Sequence, residues 1–128
     1  MSIYQQHLEN YKATKFANRG QLDTIMAVKH HIDKHYQEEL NLDVLSTEGF
    51  VSKFHMLRLF KKYHGQTPSQ YLTDKRLEKA KELLKSGASV TETCFAVGFK
   101  SLGSFSALFK RRNSISPKEF QKRAILKK

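Results

Sequence analysis

Ser52-Lys53-Phe54-His55-Met56-Leu57-Arg58-Leu59-Phe60-Lys61-Lys62-Tyr63-His64-Gly65-Gln66-Thr67-Pro68-Ser69-Gln70-Tyr71 reads as one whole helix followed by the opening of another. Ser52 is placed to cap the first helix, its hydroxyl accepting an otherwise orphaned N–H of the first turn. Met56, Leu59, Phe60 and Tyr63 recur at three- and four-residue spacing and form one apolar stripe. Lys53, Leu57, Arg58, Lys61 and Lys62 fall largely on other faces. Gly65 suits a left-handed helix stop, and Thr67 then caps a new helix with Pro68 at its first position. A short helix with an apolar back and a basic, mixed front has the shape that a DNA major groove admits.

The pattern recurs 49 residues later. Ser101 matches Ser52, Phe105 matches Met56, and Leu108 matches Leu59. Phe109-Lys110 matches Phe60-Lys61, Pro117 matches Pro68, and Phe120 matches Tyr71. Gly98-Phe99 echoes Gly49-Phe50. Two copies are too few for a solenoid. They suit two small helical modules that read one ligand twice.

With 128 residues and 39% hydrophobic content the chain can fill one core or two small lobes, although a lobe of about 50 residues is marginal alone. No stretch approaches the roughly 18 apolar residues of a membrane span, and the N-terminus carries no apolar signal core. A single cysteine, Cys94, excludes an internal disulfide and suits a reducing cytoplasm. The net charge of +11 is unevenly spread. Residues 1–50 hold 5 Lys/Arg against 7 Asp/Glu, a net −2, whereas residues 51–128 hold 18 against 5, a net +13. The basic excess therefore lies with the two repeats, which points to a polyanion and first to nucleic acid.

The expected architecture is all-α: two helix-turn-helix subdomains joined by a linker helix. An N-terminal arm or short helix occupies 1–21, with a break at Asn18-Arg19-Gly20. The first subdomain covers 22–66. It opens with a helix from Asp23 to about Tyr36, whose apolar face is Ile25, Val28 or Lys29, Ile32 and Tyr36. A short helix over 42–48, capped by Asn41, is followed by a turn at Gly49-Phe50-Val51 and then by the Ser52 helix. The linker, 67–86, holds a helix of about 16 residues, roughly 24 Å long, with Tyr71, Leu72, Leu77, Ala80, Leu83 and Leu84 on its buried side. The second subdomain, 87–128, repeats the motif. It has a helix over 91–97, a turn at Gly98-Phe99-Lys100, a second recognition helix over 101–112 and a last helix from Pro117 to about Arg123. Residues 125–128 are expected to be a frayed basic tail.

This order of motifs resembles the DNA-binding domain of the AraC/XylS family of bacterial transcription regulators, over about residues 22–123. The resemblance is carried by Phe60-Lys61-Lys62 with Gly65 and Thr67-Pro68-Ser69-Gln70-Tyr71, then by Arg76-Leu77 with Ala80 and Leu83-Leu84. Val97-Gly98-Phe99-Lys100-Ser101 with Ser104-Phe105 and Phe109-Lys110-Arg111 follows, and then Ser116-Pro117 with Phe120. Three positions depart from the family pattern. Asn113-Ser114 stands where Gly is usual, Phe50 where Gly is frequent, and Cys94 where a small Ala is usual. The family's companion ligand-binding and dimerising domain is not in the sequence, which makes the chain a stand-alone member, monomer-compatible, or a C-terminal piece of a longer regulator.

The resemblance implies double-stranded DNA as the partner, with two recognition helices entering successive major-groove segments. These lie about 34 Å apart on one DNA face. It implies RNA polymerase as a further partner if the protein is a stand-alone activator. Carried onto this chain, the base-reading positions are Lys53, Phe54, Leu57 and Arg58 in the first helix and Leu102, Gly103, Ser106 and Ala107 in the second. Arg58 could grip guanine O6 and N7, and Phe54 and Leu57 could pack on thymine methyls; the competing reading of those two is core packing. The second set is poor in donors, so that lobe is expected to act through phosphates, methyl contacts and DNA shape. Phosphate contacts are expected from Lys61, Lys62, Lys100, Lys110, Arg111 and Arg112, each of which competes with a plain solvated charge. The helix N-termini at Ser52, Thr67, Ser101 and Ser116 are expected to add backbone N–H groups.

Other chemistries find little support. His31 and His35 have a metal-compatible spacing, yet no Cys or carboxylate completes a set, so neither a metal nor a cofactor is expected. No nucleophile–base pattern suggests an enzyme. Cys94 could be a nucleophile, since some methyl acceptors of DNA repair carry a domain of this family, but its position asks for a small core residue. An RNA- or protein-binding helical module is the main alternative to a DNA reader.

Overall fold

The computed structural model describes residues 20–48 and 52–126. The expected arm before residue 20, the Gly49-Phe50-Val51 turn and the last two lysines lie outside that range. Within it the chain is all helix and turn, without a strand. Among the described residues there are seven helices: α1 (residues 20–35), α2 (Leu42–Glu48), α3 (Lys53–His64), α4 (Pro68–Lys85), α5 (Val90–Ala96), α6 (Leu102–Asn113) and α7 (Pro117–Leu126).

They fall into two compact units. The first takes α1 up to Ile32 together with Asn41–Pro68. Ile25, Val28 and Ile32, spaced three and four apart, are buried along α1, as are Leu45 of α2 and Met56, Leu59 and Phe60 of α3. Gly20, the first described residue, is already in α1, three before the expected start at Asp23, and the Thr24 hydroxyl donates to its carbonyl at 3.0 Å. Asn41 caps α2 by accepting the Val44 N–H at 3.1 Å. Ser52 caps α3 by accepting the His55 N–H at 3.1 Å. At the other end Gly65 takes φ 71° and returns its N–H to the Lys61 carbonyl at 2.8 Å. Tyr63, expected on the buried stripe, lies at its margin with 36% exposure.

The second unit takes Asp33–Leu40 and Ser69–Lys128. Helix α4 therefore does more than connect. Leu77, Ala80 and Leu84 enter one core with Cys94, Val97, Phe105 and Phe109, and Tyr36, Leu83, Val90, Phe99 and Phe120 pack against it. Phe99, Phe105, Phe109 and Phe120 form a run of ring contacts at 5.2, 5.9 and 5.5 Å, each pair contributing about 0.5–1.5 kcal/mol beyond area burial. Helix α5 starts at Val90, one residue before the expected position, because Ser89 is its cap, accepting the Glu92 N–H at 3.1 Å. Helix α6 follows the Ser101 cap. It ends without glycine, as the sequence requires: Ser114 adopts φ 67° and its N–H reaches the Lys110 carbonyl at 2.7 Å. Helix α7 continues to Leu126, beyond the expected end at Arg123, so the first two residues of the expected tail are helical. Arg123 pairs with Glu119 one turn back at 3.2 Å in that last helix.

Candidate nucleic-acid interface

In each unit a short helix followed by a longer one presents the candidate residues to solvent. On α3 the buried Met56, Leu59 and Phe60 fix the back. Residues 54, 57, 58 and 61, at three- and four-residue spacing, then share the front. Phe54 is 71% exposed, so it is not a core residue. Leu57 is half-buried, and Arg58, Lys61 and Lys62 are exposed. Lys53 is half-buried and pairs loosely, Asp43 being open to water, a pairing worth little. Its ammonium lies 3.7 Å from Asp43 of α2 and 5.9 Å from the Phe54 ring centre.

On α6 the buried Phe105 and Phe109 play the part of Met56 and Phe60. Leu102, Gly103 and Ala107 are exposed and Ser106 is half-buried. Among those four, Ser106 alone has a side chain able to hydrogen-bond a base edge. Lys100, Lys110 and Arg111 are exposed. Lys100 lies 3.7 Å from Glu39, both groups open to water, a pairing worth little. Arg112 differs from its neighbours: its guanidinium meets Asp74 of α4 at 2.6 Å. Of the helix-start positions, Ser101 accepts the Ser104 N–H at 3.3 Å and Ser116 the Glu119 N–H at 3.1 Å, while Thr67 is half-buried before Pro68. Each serine cap thus consumes one first-turn N–H, and the positive end of the helix dipole remains.

Three residues that matter to this surface escaped the reading of the sequence. Asp43 and Asp74 lie beside Lys53 and Arg112 from other helices, ten and 38 positions away in the chain, at 3.7 and 2.6 Å. Arg76, noted only as part of a motif, donates from Nε to the Tyr36 carbonyl at 2.7 Å and from Nη2 to the Glu38 carbonyl at 2.8 Å. Its burial pulls its pKa below the ordinary arginine value, and it stays charged at physiological pH. No helical spacing announces such contacts.

Cys94 is fully buried, and that burial raises its thiol pKa, the opposite of what a reactive thiolate needs. Among the described residues no three His, Cys, Asp or Glu side chains gather as a metal site, and no helix is long and apolar enough to cross a membrane.

Fold and surface together define a tandem helix-turn-helix protein with two solvent-facing recognition helices. A family described as a helix-turn-helix domain matches residues 45–123. The chain belongs to the AraC/XylS family of bacterial regulators. The HTH-type transcriptional activator RhaS of Escherichia coli is 32% identical over 121 residues, which is 94% of this chain and 40% of that protein. The C-terminal domain of AraT, a response regulator from Geobacillus stearothermophilus, superposes with a TM-score of 0.73 at 28% identity, covering 78% of this chain and 84% of that one. The DNA-binding domain of AdpA, solved in complex with a target DNA, has the same fold, with a TM-score of 0.76 at 24% identity over 81% of this chain and 95% of that domain. The chain spans about half the length, or less, of the curated relatives it matches.

Proposed function

We infer that this protein is a sequence-specific, double-stranded DNA-binding regulator of transcription that inserts α3 and α6 into successive major-groove segments. The observation that carries the reading is the repeated design of the two helices. A buried aromatic back, Phe60 in one and Phe109 in the other, turns a solvated front outward. The AdpA domain supports it, since a domain of this fold was solved with its target DNA. On α3, Arg58 reads a guanine through two N–H groups and Phe54 and Leu57 meet thymine methyls, with Lys53 beside them. On α6, Leu102, Gly103, Ser106 and Ala107 make a close but donor-poor approach, and sequence is read there chiefly through shape. Lys61, Lys62, Lys100, Lys110 and Arg111 grip phosphates, helped by the helix starts at Ser52, Thr67, Ser101 and Ser116. Arg112 serves its ion pair with Asp74 rather than a phosphate. The protein is not an enzyme and needs no cofactor. It works in the bacterial cytoplasm, the bound unit can be a single chain, and as an activator, like RhaS by name, it recruits RNA polymerase.

The test is competition between a pool of random duplexes and a pool of structured RNA of equal length, at several salt concentrations. Preferential retention of duplex, with a preferred site of about 20 base pairs for two half-sites one helical turn apart, is the expected result. Preferential retention of RNA would replace the reading with an RNA-binding module.

A further inference from the structure

Arg76 sits on α4, a helix that carries none of the base-reading residues, and none of its contacts is explained by that reading. Two of its donors end on backbone carbonyls of the turn that follows α1, Tyr36 and Glu38. Those carbonyls lie just past a helix C-terminus, where backbone acceptors lack helical partners and the dipole favours a cation. The central carbon of the same guanidinium lies over the Phe99 ring, 5.6 Å from its centre, within cation–π range. Phe99 belongs to the turn that launches the second recognition helix. Its N–H is held by the Cys94 carbonyl at 3.1 Å, and its ring meets buried Phe105 of α6 at 5.2 Å.

The preceding residue closes the arrangement. Gly98 has φ 105°, and a Cβ built there would lie 2.7 Å from the Gln37 carbonyl oxygen and 3.0 Å from Arg76 Nε. The turn is therefore pressed onto both the guanidinium and the backbone that the guanidinium holds. This gives a chain of contacts running from the turn after α1 through Arg76 and Phe99 to Phe105 and so to the pitch of α6. Glycine at 98 is needed because the backbone approaches too closely for any side chain.

We propose that Arg76 is a positioning residue for DNA recognition, one that sets the pose of α6 through Phe99 without touching DNA itself. The proposal rests on the reading of α6 as a recognition helix. A forked cation is required, since one group must satisfy two carbonyls and lie over a ring at once. Lysine offers a point charge with neither geometry.

The test uses Arg76→Lys and Phe99→Leu in the full chain, against duplexes selected by the wild-type protein. Phe99→Leu removes the ring face while leaving an apolar side chain at the site, so it covers the case in which Arg76→Lys fails to fold. Either variant should weaken the preferred duplex about tenfold, the size of one mismatched base pair. It should blur base preference only in the half-site read by α6, and leave the slope of log affinity against log salt unchanged. A slope flattened by roughly 0.9 in Arg76→Lys or Arg76→Ala would make Arg76 a phosphate contact and overturn the proposal. So would a lowered unfolding temperature with base preferences intact in both half-sites, which is what a merely stabilising role predicts. A wild-type protein that selects no preferred duplex would remove the DNA reading and this proposal with it. A clear wild-type preference that survives unaltered in both variants would remove the proposal alone.

Discussion

Helices α3 and α6 occupy equivalent places in the two repeats, and residue pairs 49 apart in the sequence can be compared directly. Their backs agree: Met56 and Phe105 are buried, as are Phe60 and Phe109. Their caps agree too, with serine at both starts and a left-handed residue at both ends, Gly65 at φ 71° and Ser114 at φ 67°. Their fronts do not. Phe54 of α3 stands where α6 has Gly103, Leu57 where it has Ser106, and Arg58 where it has Ala107, while Lys61 and Lys110 are the same type. Packing and helix termination constrain the back and the ends in the same way in both units. The front is released from those demands, and there the repeats have taken different residues. On the proposed reading, that difference puts direct base reading on α3 and a donor-poor, backbone-led approach on α6.

The largest expected effect concerns what the two helices share. Phe109→Ala should destabilise the protein by about 3–5 kcal/mol, at the upper end because Phe109 touches two other rings, Phe105 and Phe120. Phe60→Ala should fall in the same range, its fully buried ring lying 4.8 Å from that of His64. Denaturant unfolding of both variants measures this, and a loss well below that range in either one would break the symmetry of the backs.

The fronts separate the helices at the next scale. Arg58→Ala should weaken the preferred duplex by about 1–3 kcal/mol and relax one base position. Ser106→Ala should cost no more than about 1 kcal/mol, the net worth of one neutral hydrogen bond. Titrating both against preferred and scrambled duplexes decides the matter, and equal losses on the two duplexes would make Arg58 a phosphate contact only.

The ends are a smaller contrast. A left-handed residue with a Cβ carries a penalty of roughly 1–2 kcal/mol, part of which glycine returns as chain entropy. Ser114→Gly should therefore stabilise the protein by up to about 1 kcal/mol, and Gly65→Ala should destabilise it by a similar amount. Thermal unfolding reads both, and a destabilised Ser114→Gly would mean that the serine side chain has a role of its own.

The smallest change in sequence preference is expected from neutralising Lys110 and Arg111 together. Preferred and scrambled duplexes should weaken by similar factors, and the salt slope should flatten by roughly 0.9 for each phosphate no longer neutralised, leaving the base preferences of that half-site almost unchanged. An unchanged slope with altered preferences would assign base reading to these cations.

Much of this organisation was legible in the sequence because it is local. Ser52, Ser101 and Ser116 cap within three residues, and the three- and four-residue stripes of α1, α3 and α6 set helix phase. What was not legible depends on residues far apart in the chain. Asp43 comes within 3.7 Å of Lys53, and Asp74 pairs with Arg112 at 2.6 Å. Arg76 finds carbonyls 40 and 38 positions away. Local signals also misplaced some ends. Described α1 already includes Gly20, three residues before the expected start at Asp23, and α7 runs through Ile125 and Leu126 although they follow a basic, tail-like stretch.

Selecting binding sites from random duplexes with the wild-type protein and with Arg58→Ala tests the division between the helices most directly. The account predicts a wild-type site of about 20 base pairs in two parts one helical turn apart. One part should be sharply specified and the other weakly, and Arg58→Ala should lose a single position from the sharp part. A wild-type site whose two parts are equally sharp, or an Arg58→Ala site that loses its position from the weak part, would contradict it.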